Sequence, residues 1–357
     1  MKKQTLAAAG VKGFGSAGRA ALNISEGSLV EMESLDPDRG LPLLLRPRAR
    51  GIDLTAWAGL NRALINDSLR KRGGILFRGF HLESPEEFQR LIAVISGELL
   101  HYTYASTPRT QVSGGIYTST EYPANQRIPL HNEMSYARSW PMKIWFYCET
   151  PAESGGETPI ADSREVFQRI AADVRDRFAR KKVMYVRNYG EGLDLSWQQV
   201  FKTSDPAQVE RFCADAGIEF EWKAGGRLRT SQVCQAVTVH PSTGESVWFN
   251  QAHLFHVSSL DPDVRGKLLS QFGPEDLPRN ACYGDGSPFE AEALEEIRKA
   301  YERSEIVFPW RAGDILLLDN TLAAHGRRPY RGRRRVLVGM AEQGSYQSYQ
   351  DDLTKRC

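Results

Sequence analysis

Two short stretches constrain this chain more than anything else in it: Leu130-His131-Asn132-Glu133, and the distant Asp319-Asn320-Thr321-Leu322-Ala323-Ala324-His325. Histidine and glutamate at i and i+2 point to one face of an extended strand. A second histidine, almost two hundred residues later, would have to return to that face. Two imidazoles and one carboxylate that leave coordination positions open form the ligand set of non-haem Fe(II) oxygenase sites. A His-x-Glu pair taken alone carries little information, so its neighbours decide.

Composition sets broad limits. With 357 residues, 41% hydrophobic and 25% charged, the chain has the balance of a soluble globular protein. It is long enough for one elaborated domain or two ordinary ones. A net charge of +2 gives no reason to expect a nucleic-acid partner, and the basic run at Arg327-Arg328 and Arg331 to Arg335 is local. No window approaches the roughly 18 apolar residues of a spanning helix, so no membrane partner is expected. Five scattered cysteines without a Cys-x-x-Cys fit a reducing cytoplasm better than a disulfide framework. Residues 1–40 read as a flexible leader, 41–345 as a single domain with a helical insertion around 162–225, and 346–357 as a tail.

The element pattern is mainly β with helices around it. Asp53 to Arg72 has helical spacing of Leu54, Trp57, Leu60, Leu64 and Leu69, stopped by Gly73-Gly74. Ile75 to Phe80 reads as a buried strand, and Ser84-Pro85-Glu86-Glu87 as a capping box with proline at the first helical position. Met142 to Cys148, Asp314 to Asp319 and Arg334 to Ala341 read as strands. Ser287-Pro288-Phe289-Glu290 is expected to cap a further helix. Strands on both sides of the His-x-Glu and the distant histidine predict a jelly roll decorated with helices.

Among the remaining histidines, His253 and His256 are spaced for a helical metal pair but lack a third ligand, and His240 sits in a turn before Pro241. A two-oxoacid co-substrate needs a cation for its distal carboxylate, and the planar fork of arginine suits that task. Arg335, at the start of the last strand, and Thr158, after the turn Gly155-Gly156-Glu157, are the candidates.

These motifs, His131-Asn132-Glu133, Gly155-Gly156-Glu157-Thr158, Gly313 to Asn320, His325-Gly326-Arg327 and Gly332 to Val336, together resemble the taurine dioxygenase (TauD/TfdA-like) superfamily of Fe(II)/2-oxoglutarate oxygenases. The resemblance runs over roughly residues 70–345. It implies a double-stranded β-helix, or jelly roll, that uses Fe(II), 2-oxoglutarate and O₂. It also implies that His131, Glu133 and His325 hold iron, while Thr158 and Arg335 hold 2-oxoglutarate. Glutamate instead of aspartate, with Trp248 to Gln251 and Tyr117 to Pro123, resembles the clavaminate synthase-like and SyrP-like branches. The implied activity is hydroxylation of an amino acid or its derivative, with Asn250 near the substrate. An intact carboxylate ligand disfavours halogenation. Desaturation and epoxidation are open to the same chemistry, and a non-catalytic jelly-roll binding protein is the alternative of another class.

Several relatives carry a second arginine four residues after the co-substrate arginine, for the substrate's own anion. Counted from Arg335, that position is Gly339. The expected substrate is therefore one with a masked carboxylate, such as a thioester on a peptidyl carrier protein or an amide. Arg109, Arg138 and Arg334 are the candidates for a replacement cation.

Overall fold

A computed structural model describes residues 29–100, 109–190 and 194–345; most of the expected leader and the whole of the expected tail lie outside them. Its main sheet has eight strands, in the order Val30–Ser34, Leu43–Pro47, Gly74–Phe77, Ile315–Asp319, Ser139–Thr150, Arg335–Ser345, Ile116–Thr118 and Gln111–Ser113. The pairings are antiparallel except that between Leu43–Pro47 and Gly74–Phe77. Ile315–Asp319 is buried at every position, which explains its unbroken apolar run at the middle of the sheet. The strand Val30–Ser34 revises the leader boundary. Val30-Glu31-Met32-Glu33 alternates apolar and polar residues over too short a stretch to mark a strand by itself, and the strand is placed by backbone pairing with Leu43–Pro47.

One face of this sheet is covered by helices. Ser84 caps Pro85–Ser96 by accepting from the Glu87 N–H. This helix buries Phe88, Leu91, Ile92 and Ile95, each worth roughly 1.5–3 kcal/mol in apolar transfer. The stretch expected as one helix is two, Leu54–Leu60 and Arg62–Arg72. The break falls at Asn61, whose side chain donates to the Trp57 carbonyl and so competes with helix continuation. Glu290 precedes the helix Ala291–Ser304 without a side-chain capping bond, unlike the expected serine cap.

The other face packs on a three-stranded sheet, Ile128–His131, Ala323–Arg327 and Ile160–Asp162. Ile144, Phe146, Leu316 and Val338 from the main sheet share a core with Ile160 and Ala323 from the small one. Two antiparallel sheets packed this way make the expected jelly roll.

The segment read as a helical insertion contains more than helices. After Ser163–Arg169 and Ala172–Lys181, the strands Val183–Tyr189 and Glu219–Lys223 within 162–225 join Arg227–Cys234 and Arg279–Tyr283 from beyond it in a four-stranded antiparallel sheet. Its core is continuous with Leu130, Ala161 and Ala324 of the small sheet, so it buttresses the strands that carry the histidines.

Candidate metal centre and co-substrate pocket

Antiparallel pairing of Ile128–His131 with Ala323–Arg327 sets His131 directly opposite His325, with ring centroids 4.6 Å apart. Glu133 lies just past the strand end, and Met134, with φ of 55°, turns the chain away behind it. One ligand atom from each of His131, Glu133 and His325 lies within 4.8 Å of the other two.

The donor set fits a divalent iron ion. The His131 Nδ1 is 2.8 Å from the Pro129 carbonyl; the ring nitrogen facing that acceptor carries the proton, leaving Nε2 with its lone pair. Burial pushes the pKa of His131 below the ordinary range. Burial, with His131 and Arg109 nearby, pushes that of His325 well below it. Both imidazoles are thereby held neutral, as ligation requires.

The loop bearing Glu133 is clamped from behind. Asn320 Oδ1 accepts from the Glu133 N–H at 2.7 Å, and its Nδ2 donates to the carbonyls of Glu133 at 2.9 Å and Pro141 at 2.8 Å. Asn132 donates to the Asn320 carbonyl and Ser163 Oγ, and Gln251 donates to the Asn132 carbonyl. Asp319 caps the next turn through the N–H groups of Thr321 and Leu322 and receives His240 Nε2 at 3.0 Å. His240, expected only as a turn residue, thus supports the link between the two stretches. His253 Nε2 donates to the Leu130 carbonyl at 3.0 Å; it belongs to this scaffold, and no metal pair forms with His256.

A cavity opens at His131 and His325, with Arg109, Thr120, Thr158, Arg327 and Arg334 in its wall. Gly155 and Gly156, with φ of 70° and 74°, make the turn that delivers Thr158. Trp310 Nε1 donates to Thr158 Oγ1 at 3.1 Å, leaving the Thr158 hydroxyl hydrogen to point elsewhere. Arg334 Nε donates to the Gly156 carbonyl at 2.9 Å. Burial, with Arg327 nearby, lowers its guanidinium pKa to about 10, still cationic at neutral pH.

Arg335 is not brought to this cavity. It is exposed and pairs with Glu149 at 2.6 Å. The reason is parity: along the last strand, Val336, Val338 and Met340 face the small sheet, whereas Leu337 and Ala341 face the helices. A one-residue shift exchanges the faces, so the basic side chain beside Thr158 is that of Arg334. The same shift corrects Gly339. A side chain there would meet Ile92, Ile116 and Leu99, away from the cavity, and the residue four positions beyond Arg334 is the buried Val338.

Two other expected residues are elsewhere. Asn250 is buried, donating to the Ala236 carbonyl and accepting from the Ala252 N–H, which makes it a backbone brace. Arg138 is exposed and donates to the Val233 carbonyl.

A family model described as taurine catabolism dioxygenase TauD, TfdA family matches residues 38–341. The chain is 41% identical over 278 residues to the dapdiamide synthesis protein DdaC of Enterobacter agglomerans, covering 78% of this chain and 84% of that protein. It is 32% identical over 292 residues to a clavaminate synthase-like protein of Arabidopsis thaliana, again 78% and 84%. Among solved structures, PvcB of Pseudomonas aeruginosa shares the fold at 16% identity and a TM-score of 0.53, covering 90% of this chain and 94% of that one. AAD-2, solved with Mn(II) and N-oxalylglycine, does so at 12% identity and a TM-score of 0.51, covering 87% and 96%. With the family model spanning both histidine-bearing strands and a His-Glu-His donor set that could hold a metal assembled there, the chain belongs to the TauD/TfdA family and is a 2-oxoglutarate-dependent non-haem iron dioxygenase.

Proposed function

We propose that this enzyme hydroxylates an unactivated C–H bond of an amino-acid-derived biosynthetic intermediate whose carboxylate is masked, presented as a thioester on a peptidyl carrier protein. The observation that carries this reading is the engagement of the cavity's three arginines. Arg327 donates to the carbonyls of Tyr122, Pro123 and Gln126. Arg109 is ion-paired with Glu133. Arg334, beside Thr158, is the cation suited to the distal carboxylate of 2-oxoglutarate. Val338 offers nothing for a second anion. Among the described residues, the cavity therefore suits a substrate end without a free carboxylate.

Bound iron and 2-oxoglutarate supply the oxidising chemistry, with succinate and CO₂ as co-products. The chain's own residues do the rest. His131, Glu133 and His325 would hold the metal, while Arg334 and Thr158 orient the keto acid. Phe146, packed on the His325 ring at 5.1 Å, gives the cavity an apolar wall. Similarity to a dapdiamide synthesis protein supports a biosynthetic setting. The thiols Cys148, Cys213, Cys234 and Cys282 are unpaired, and no described helix is long and apolar enough to cross a membrane; the free thiols support the cytoplasmic reading.

The test compares succinate formation with candidate amino acids supplied free, as amides, and as pantetheine or carrier-protein thioesters. A gain of at least tenfold in kcat/KM for the thioester is expected. Equal turnover of the free acid would overturn the masked-carboxylate reading. Ala in place of His131 or Glu133 should abolish substrate-dependent succinate in every case.

A further inference from the structure

Of the two cations that end the basic run, Arg334 faces the cavity, and more than its own strand sets its direction. Its Nε donates to the Gly156 carbonyl at 2.9 Å, and its Nη1 donates to Ser119 Oγ at 3.3 Å. Both acceptors are neutral, so the charge is aimed without being cancelled, in contrast to Arg335 on Glu149. The guanidinium carbon also stands 5.6 Å from the centre of the Tyr330 ring. Backbone pairing brings Ser119 to this place. Ile116–Thr118 pairs with the last strand, Thr118 opposite Leu337. The Ser119 N–H then donates to the Val336 carbonyl at 2.8 Å, which carries the pairing one residue further toward Arg334. Alternation puts Ser119 on the face of Tyr117, which packs with Val336 and Val338 toward the small sheet, and Ser119 joins Arg334 in the cavity wall. Glu121 fixes the turn that follows by accepting from the Thr110 and Thr118 hydroxyls at 2.7 Å and 2.9 Å.

We propose that Ser119 is a positioning residue for 2-oxoglutarate, holding the Arg334 fork toward the distal carboxylate of the co-substrate. The inference rests on the co-substrate reading of Arg334 given above and extends it to a residue from another strand. A hydroxyl suits the task because it accepts from the guanidinium and brings no negative charge to compete with the keto acid. An arginine already fixed in the free protein also loses less rotamer freedom when its ligand arrives.

Calorimetric titration of the Mn(II)-loaded protein with 2-oxoglutarate, and with 2-oxobutyrate, which lacks the distal carboxylate, tests this without turnover. Ser119 is only partly buried, so S119A should fold. It should bind 2-oxoglutarate about three- to tenfold more weakly, as for one hydrogen bond whose loss acts through a neighbour. Its affinity for 2-oxobutyrate should stay at the wild-type value, since that ligand offers Arg334 nothing to hold. In S119A/R334Q the 2-oxoglutarate affinity should equal that of R334Q alone, because the hydroxyl acts only through the guanidinium. A serine with a merely structural role would weaken both keto acids alike. Unchanged 2-oxoglutarate affinity in S119A, equal weakening for the two ligands, or a further loss in the double variant overturns the proposal. If R334Q binds 2-oxoglutarate as the wild type does, the co-substrate assignment of Arg334 fails, and the role of Ser119 with it.

Discussion

Arg334 and Arg335 are chemically identical neighbours with opposite surroundings. Arg334 lies against the Gly156 carbonyl in the cavity wall, and Arg335 lies on the outside with Glu149. R334Q should raise the KM for 2-oxoglutarate roughly ten- to hundredfold, the equivalent of a charge-assisted bond of about 1.5–3 kcal/mol. R335Q should leave that KM unchanged and cost at most about 1 kcal/mol of stability, as expected for a partly exposed pair. Steady-state kinetics at varied 2-oxoglutarate separates the two; equal effects would remove the parity assignment. His253 offers a second residue-scale prediction. Burial lowers its pKa from the ordinary 6.5 to about 3, so below pH 6.5 the unfolded chain takes up a proton that the folded chain excludes. Stability therefore falls as pH drops from 6.5 toward 3. Between pH 6.5 and 5.0 the metal-free wild type should lose on the order of 1.5 kcal/mol more than H253Q, measured by urea unfolding.

At the scale of elements, the site is assembled by the ends of strands and the turns behind them. Asn320, just past Ile315–Asp319, joins the loop of Glu133 to the strand bearing His325. N320A would strand a buried N–H and carbonyls, at about 1–3 kcal/mol for each group left unsatisfied. Because these bonds orient a ligand, Co(II) affinity should fall about ten- to hundredfold. Equilibrium titration measures this, and unchanged affinity would reduce Asn320 to a fold-stabilising residue. Trp310 acts similarly on Thr158. W310F frees the threonine hydroxyl to rotate; with about 1 kcal/mol at stake, it should raise the KM for 2-oxoglutarate roughly fivefold while leaving kcat at saturation near the wild-type value.

At the scale of the whole molecule, the candidate metal site ties the small sheet to everything around it. Its histidines are carried on adjacent strands backed by the core that the four-stranded sheet contributes. Ion binding is then coupled to the global fold: at a free concentration a hundred times Kd it should add about 2.7 kcal/mol of stability. A melting temperature several degrees higher with Co(II) is expected for the wild type and no rise for H325A, by calorimetry. What the linear chain offered by itself was chemical: the candidate ligand set of His131, Glu133 and His325 and the Thr158 turn, singled out by their motifs, and the buried strands, which local pattern encodes. What only the tertiary structure decided was direction and partnership. Whether Arg334 or Arg335 faces the cavity depends on strand parity, which a basic run of five residues does not reveal. The edge strand Val30–Ser34 is held by pairing with Leu43–Pro47, and the four-stranded sheet by pairings such as that of Val183–Tyr189 with Arg227–Cys234, partners that only the folded chain reveals. Arg109 stands beside Glu133 for the same reason, since only folding brings together two side chains that share no element and no spacing rule.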